Sequence, residues 1–251
     1  MVSGRLRRPF RIVAILFLLA TAPAAIGGRT AAAAPVDLEL VLAIDISRSV
    51  DDEEARLQRE GYIGAFQDRR VVDAIQSGAI GAIAVAYVEW AGAGYQRTMV
   101  DWTLIKDSET AAAFTAKIAA LPRISAGWTS ISGAIDYCSG LFGSGGFEGA
   151  RRVIDISGDG PNNNGRPARL ARDDAIAHGI VINGLPILND HPNFGRPPEV
   201  GLDAYYENEV VGGTGSFSIV AEDFNSFASA ILSKLIREIA ALPHPPEPRV
   251  N

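Results

Sequence analysis

The sequence predicts an α/β fold in which a doubly wound, mainly parallel sheet is covered by helices on both faces. Strand-like apolar runs alternate with helix-like patterns through most of the 251 residues. Most of these runs are continuously apolar, as is typical of parallel strands that are buried on both faces. One run, Tyr95 to Thr103, instead alternates polar and apolar residues, which predicts a half-exposed antiparallel strand at one edge.

The first half of this fold is predicted from three strands and three helices. Residues 36–46 have the composition of a buried strand, and the acidic residues 51–54 open a helix, because negative charge in a first turn complements the helix dipole. The strand at residues 81–90 precedes the antiparallel one. Two further helical patterns follow at residues 108–120 and 130–142.

The second half begins with the same alternation. Residues 151–157 read as a strand, residues 166–178 as a helix that Gly179 can terminate, and residues 180–187 as a further strand. The arrangement is Rossmann-like, and ligands of such sheets bind beyond the carboxyl ends of the strands. Functional residues are therefore expected just after the strands that end at Ile46 and Ser157.

The last part of the chain is less regular. Residues 188–215 are rich in Pro, Gly and Asn, and only a short helix at about 202–209 is expected there. A final strand at 217–220 leads to a helix at 223–241. The Pro-rich residues 242–251 form a predicted exposed, disordered tail.

The N-terminal residues 1–34 have the pattern of a secretory signal. They contain five arginines and no acidic residue, then the apolar run Ile12 to Ala20 and a series of alanines ending at Ala34. This order predicts cleavage near Ala34 and export to the periplasm or the medium, with Arg7-Arg8 fitting a loose twin-arginine pattern. The alternative is an uncleaved membrane anchor, against which the interrupted apolar run argues. We expect no stable membrane insertion after cleavage.

The composition of the remaining chain, residues 35–241 with the tail, excludes several classes of protein. Without the five N-terminal arginines it has 18 basic and 29 acidic residues, a net charge of −11. Such an acidic surface disfavours nucleic acid as a partner. The single cysteine, Cys138, excludes a disulfide framework, and its position in an apolar helical pattern predicts a buried side chain.

Small oxygen-bearing side chains follow the ends of the predicted strands. Asp45, Ser47 and Ser49 come at i, i+2 and i+4, so their oxygens can converge above the sheet. Asp159 follows a later strand, and Thr129 lies in the loop before a helix. Each has an ordinary explanation as a helix cap or turn residue. Together they suit a hard cation, Mg²⁺ or Mn²⁺, that keeps some of its water.

These five residues resemble the metal-ion-dependent adhesion site of the von Willebrand factor A (VWA) domain. The family pattern is D-x-S-x-S after the first strand, a Thr before a later helix, and Asp-Gly after the fourth strand. Here these positions are Asp45, Ser47, Ser49, Thr129 and Asp159. The resemblance covers residues 36–241. In its signal segment and single domain, the chain resembles a group of uncharacterised exported bacterial proteins of this type.

The resemblance implies a binding role. The hydroxyls of Ser47, Ser49 and Thr129 would bind the metal, with Asp45 and Asp159 acting directly or through water. Mostly neutral ligands leave much of the cation's charge uncompensated, so an Asp or Glu carboxylate of an unknown protein ligand would complete the coordination. No catalytic residue is predicted.

The chain departs from the VWA pattern in two places. Gly158 stands before the Asp-Gly pair, where the family often has Thr, and the segment at 188–215 has no counterpart in the general pattern. The resemblance therefore assigns no role to either feature.

The alternative function is that of a Mg²⁺-dependent phosphatase of the haloacid dehalogenase type. Asp45 would be its nucleophile, but the general acid/base of that chemistry is an Asp two residues later. Ser47 holds that position, and a hydroxyl does not readily take over the proton transfer. We therefore favour the adhesion site.

Three further residues stand out in the sequence. Trp128 and Arg48 lie inside the metal-site loops and are candidate contacts for a partner, although Trp128 could equally pack against the following helix. Asp155 lies between two isoleucines within a strand, which is unusual, and is expected to face a polar neighbour.

Overall fold

The computed structural model describes Met1, residues 32–188 and residues 200–240. Most of the predicted signal segment (2–31), part of the long loop (189–199) and the predicted tail lie outside the described residues. The strands are β1 (Ala34–Val36), β2 (Leu38–Asp45), β3 (Ile83–Trp90), β4 (Gln96–Ile105), β5 (Phe147–Gly149), β6 (Arg152–Gly158) and β7 (Ile180–Pro186). The helices are α1 (Asp52–Gln67), α2 (Arg69–Gln76), α3 (Ser108–Ala119), α4 (Ile131–Ser139), α5 (Ala168–Ala177), α6 (Leu202–Tyr205) and α7 (Phe227–Ala240), with a π-helical turn, Tyr206–Val210, directly after α6.

The main sheet has five strands in the order β4-β3-β2-β6-β7. All neighbours are parallel except β3 and β4, which pair antiparallel at one edge. This confirms the predicted α/β class and its antiparallel edge strand. The short strands β1 and β5 form a separate parallel pair.

The central strand β2 is buried along its whole length because helices cover both faces of the sheet. On one face, Leu40 and Leu42 belong to a core that α1, α2, α3 and α7 complete. On the other, Val41 and Ala43 pack with α4, α5 and the segment around Tyr206. The carboxyl end of β2, where Asp45 lies, is therefore held from both sides.

The helix beginnings that flank the candidate site agree with their sequence signals. Asp51 caps α1 and accepts a hydrogen bond from the Glu54 backbone N–H at 2.9 Å, while the Glu54 carboxylate accepts one from the Asp51 N–H. Ser130 caps α4 and accepts from the Gly133 N–H at 3.2 Å. These caps fix where the loops after β2 and before α4 end.

The predicted strand at residues 217–220 is wrong as a regular strand, because that segment pairs with β7 only through isolated bridges. The Gly184 N–H donates to the Phe217 carbonyl, and the Ala221 N–H donates to the Pro186 carbonyl. Between these two bonds the ladder needs an N–H at position 186, which proline lacks. The predicted 223–241 helix also begins later, at Phe227.

The predicted strand at 36–46 is divided at Asp37. Its carboxylate accepts hydrogen bonds from the backbone N–H groups of Ile80 and Gly81, at 3.0 and 2.8 Å. These bonds tie the start of β2 to the turn before β3. The chain on either side of Asp37 then pairs with different strands, β5 and β3.

Asp155 faces a buried cluster of charged and polar groups, as its position in a strand predicted. The Lys234 ammonium of α7 lies 2.6 Å from the Asp155 carboxylate and 3.4 Å from that of Glu238. The Asn183 amide donates to Glu238 at 2.5 Å. All four side chains are buried, and we call them the α7 ion cluster.

The described residues from Ala32 onward belong to one compact unit. No helix within the described ranges is both long and apolar enough to cross a bilayer. Cys138 is buried as predicted, and burial raises the pKa of its thiol.

Candidate metal centre

Asp45 is the last residue of β2, and its side chain is fully buried. One carboxylate oxygen, Oδ1, accepts a hydrogen bond from the Ser47 backbone N–H at 2.7 Å. The other, Oδ2, has no hydrogen-bond partner among the described residues. Burial, and secondly the charge of Asp159, raise the pKa of Asp45 well above its ordinary value.

Ser47, Ser49 and Asp159 form a chain of side-chain hydrogen bonds beside Asp45. The Ser47 and Ser49 hydroxyls are 2.8 Å apart, and the Ser49 hydroxyl donates to Asp159 Oδ1 at 2.7 Å. Asp159 is buried, which raises the pKa of its carboxyl to about 6 against the opposing hydrogen bond from Ser49. Four of the five candidate residues are thus brought together.

Thr129 reaches the same region through its loop. The Ala126 N–H donates to the Ile46 carbonyl at 3.2 Å, and Ala126 forms a bridge with Ser47. Thr129 is buried. Within the part of the chain that the structure describes, no hydrogen bond joins its hydroxyl to the other four candidates, so its connection to the site is through the backbone.

Two asparagines to which the sequence assigned no role hold the Thr129 loop in place. The Asn163 side chain accepts from the Thr129 N–H at 2.8 Å, and its backbone N–H donates to the Thr129 carbonyl, also at 2.8 Å. The Asn162 side chain accepts from the Ser132 N–H at 3.0 Å. The signal for this role was the run of three asparagines that follows Asp159-Gly160-Pro161.

Trp128 is exposed and strained rather than packed against the following helix. The residue is 67% exposed, and its φ of 70° is the single positive value among the described non-glycine residues. The backbone is fixed on both sides, since the Gly127 carbonyl accepts from the Gly92 N–H and the Thr129 N–H is bonded to Asn163. Strain that the surroundings maintain is typical of functional positions.

This strain is testable with two substitutions at one position. We expect Trp128→Gly to be about 1 kcal/mol more stable than Trp128→Ala, because a Cβ disfavours positive φ and glycine has none. Urea unfolding of both variants measures the difference. Equal stabilities, or a more stable alanine variant, would show that the backbone at 128 is not strained.

The donor atoms of the site fit a hard cation. All side-chain donors are carboxylate or hydroxyl oxygens, and two buried carboxylates lie close enough for Asp159 to raise the pKa of Asp45. The unpartnered Asp45 Oδ2 has lone pairs that a cation would satisfy. No group of three or more His, Cys, Asp or Glu in the described ranges could hold a metal, so the site depends on hydroxyls.

A haloacid dehalogenase phosphatase needs its acid/base two residues after the nucleophile, and here that position is Ser47. Ser47 donates its backbone N–H to Asp45, and its hydroxyl is bonded to Ser49. The Asp159 carboxylate, which accepts from Ser49, follows a different strand, β6.

Comparison with known proteins identifies a family and a fold. The family described as "protein of unknown function (DUF1194)" matches residues 35–243. A search of curated proteins gave no significant match. Among solved structures, VWA proteins share the fold at low sequence identity, which confirms the resemblance seen in the sequence.

Three of these structures come from different organisms. Mussel byssus proximal thread matrix protein 1 with a "zinc occupied MIDAS motif" has a TM-score of 0.58 at 15% identity, over 83% of this chain and 49% of that one. BatB of Bacteroides thetaiotaomicron has 0.54 at 20%, over 81% and 98%. The von Willebrand factor type A protein of Catenulispora acidiphila has 0.57 at 13%, over 82% and 43%. The chain thus spans about half of the mussel protein.

Proposed function

Since this chain belongs to the DUF1194 family and has the VWA fold, we propose that it is an exported domain that binds a divalent cation and, through it, a protein ligand. Asp45, Ser47, Ser49, Thr129 and Asp159 are the proposed metal site. The observation that carries the proposal is the chain of side-chain hydrogen bonds from Ser47 through Ser49 to Asp159, which lies beside the unpartnered Asp45 Oδ2.

Mg²⁺ or Mn²⁺ is the proposed metal because every side-chain donor is an oxygen. The zinc in the mussel structure supports a divalent cation at this kind of motif without selecting which one. The bound ion would supply a positive charge that offsets the charge of the two buried carboxylates. It would also supply an open coordination position. The residues of this chain would orient the ion and exclude water from one side of it.

A carboxylate of another protein is the proposed ligand at that open position. The chain without residues 1–34 is strongly acidic, so a bare acidic partner would be repelled, and the cation would bridge the two surfaces. Arg48 and Trp128 are exposed beside the centre and are the proposed contacts around the carboxylate.

Export is proposed from the basic, apolar and alanine-rich order of residues 1–34. Fractionation of cells, with detection of the chain shortened near Ala34, tests this part separately. Full-length protein retained with the membranes would support the anchor instead.

The metal proposal is tested by stability. We expect Mg²⁺ or Mn²⁺ at 100 times its Kd to raise the free energy of unfolding by about 2.7 kcal/mol, because the ion binds the folded state alone. Thermal unfolding with each metal and with EDTA measures the effect. Asp45→Ala with Ser47→Ala should remove it, whereas Asp101→Ala, at an exposed position on β4, should not.

Two outcomes would contradict this proposal. An unchanged metal response in the double variant would place the ion elsewhere. Robust Mg²⁺-dependent hydrolysis of a generic phosphate ester that is lost on Asp45→Asn would favour the phosphatase alternative.

A further inference from the structure

Tyr206 points toward the proposed metal centre from a segment that the general VWA pattern does not include. It is the first residue of the π-helical turn Tyr206–Val210, and its side chain is fully buried. Its hydroxyl has no hydrogen-bond partner among the described residues. π-Helical turns of this kind are frequent at functional sites.

The Tyr206 hydroxyl and Asp45 Oδ2 border the same small space. A Cβ placed on Gly158 would lie 2.9 Å from each of these two oxygens. Both oxygens are buried and unpartnered, one being a donor and the other an acceptor. Because Gly158 has no side chain, the space beside both oxygens is left open.

A second glycine makes room for the ring of Tyr206. A Cβ on Gly184 would lie 2.9 Å from Tyr206 Cδ1. Gly158 and Gly184 lie on the neighbouring strands β6 and β7, within two positions of each other in register. A glycine in a strand can mark a close approach by another group, and Tyr206 is one of the two nearest groups at both positions, with Asp45 Oδ2 at Gly158 and Val211 Cγ2 at Gly184.

The segment that carries Tyr206 is fixed to the sheet and to the site. Leu202 and Val210, four residues on either side, are buried in the same core. The hydroxyl of the adjacent Tyr205 accepts a hydrogen bond at 3.2 Å from the backbone N–H of Asn162, in the loop after Asp159. The segment therefore contacts the site at two points.

We infer that Tyr206 is a positioning residue of the metal centre: its hydroxyl, which is not bonded to Asp45 Oδ2 in this structure, turns to donate to that oxygen when the ion is bound, while the Ser47 N–H holds Oδ1. This inference rests on the proposed function. With both oxygens then held, the carboxylate cannot rotate away from the ion. Groups that orient a metal ligand in this way typically contribute 10–100-fold to affinity.

The inference also explains the departure at Gly158. A Thr at this position would bring its Cβ to 2.9 Å from both oxygens, closer than Cβ atoms normally approach other atoms. Gly158 and Tyr206 therefore form a pair, and the 200–211 segment is part of the metal centre and not an unrelated insertion.

The test is the Mn²⁺ affinity of the purified protein, measured by isothermal titration calorimetry. We expect Tyr206→Phe to weaken Mn²⁺ binding by about 10-fold or more. Tyr87→Phe is the matched control, because Tyr87 is equally buried but lies on β3, and it should bind Mn²⁺ like the wild type. Circular dichroism in EDTA shows whether each variant retains the fold.

The possible results separate this inference from the function on which it rests. A wild type that binds no metal overturns both. A wild type that binds Mn²⁺, with equal affinity in Tyr206→Phe, overturns the positioning role alone. Should Tyr206→Phe not fold, Gly158→Ala provides the test, since its methyl group would lie 2.9 Å from both oxygens, and an unchanged Mn²⁺ affinity would overturn the positioning role.

A double variant adds a further criterion. Gly158→Ala brings a Cβ against both Asp45 Oδ2 and the Tyr206 hydroxyl, so we expect it to weaken Mn²⁺ binding by itself. Tyr206→Phe removes one of those two contacts. The losses should then be less than additive in the double variant, while fully additive losses would count against the pair.

Discussion

Replacing Lys234 by methionine is expected to lower the free energy of unfolding by about 3–5 kcal/mol. The Lys234 ammonium is the cation of the α7 ion cluster, at 2.6 Å from Asp155 and 3.4 Å from Glu238, and it is fully buried. Methionine preserves much of the side-chain volume, so the loss measures charge and not a cavity. Two buried carboxyl groups would be left without their counter-ion.

Urea unfolding at pH 7 measures this loss of stability, and two further variants show whether the buried charge causes it. Lys106→Met, at an exposed position, should change stability by no more than about 0.5 kcal/mol. Adding Asp155→Asn and Glu238→Gln to Lys234→Met should restore a large part of the stability, because the uncompensated charges are then gone. A Lys234→Met protein as stable as the wild type would show that the cluster is not held by its charge.

In metal-free protein, Asp159→Asn is expected to be more stable than the wild type at pH 8 by about 3 kcal/mol, and similar to it at pH 4. Burial raises the pKa of Asp159 to about 6 from a usual value of 3.8. Between these values the folded protein holds a proton that the unfolded chain has released. Stability therefore falls as the pH rises through this window, and asparagine, which cannot ionise, does not contribute to the fall.

The measurement is the difference between the two proteins in EDTA from pH 4 to pH 8. Asp45 and Asp155 also have raised pKa values, so the wild-type slope alone would not isolate Asp159. Asp101→Asn, at an exposed position, should leave the slope unchanged. A difference that is constant across this pH range would mean that Asp159 does not titrate as its burial implies.

The fold could be predicted from the sequence because its signals are local. Continuous apolar runs distinguish the parallel strands from the alternating β4, and an acidic cap marks the start of α1. The segment at 217–220 does not form the predicted strand, because strand pairing depends on the neighbouring strand as well. Its apolar pattern is correct, but the missing N–H belongs to Pro186, on a different strand.

The candidate site was predictable to the extent that its residues share a short motif. Asp45, Ser47 and Ser49 converge because alternate residues of an extended chain point to one side, and Asp159 follows the adjacent parallel strand. Their role as metal ligands stays a prediction. Tyr206 carries no such signal, since only the folded chain brings a residue 161 positions from Asp45 against the same space, as the Gly158 geometry shows.

Long-range charge pairing was likewise beyond the sequence. The sequence marks Asp155 as unusual within an apolar strand, but its partner is Lys234, on a helix near the other end of the described chain. Nothing in the spacing of either residue selects the other. The pairing follows from α7 packing against the sheet face that Asp155 occupies.

The exposure of Trp128 makes its fluorescence a probe of the proposed binding site. Of the three tryptophans, Trp90 is fully buried and Trp102 is half-buried, with its indole N–H bonded to the Leu141 carbonyl, whereas Trp128 is 67% exposed. A water-soluble quencher such as acrylamide will therefore act mainly on the emission of Trp128. The chain thus carries an intrinsic fluorophore at the rim of its proposed binding site, whose shielding would report an arriving ligand without any label.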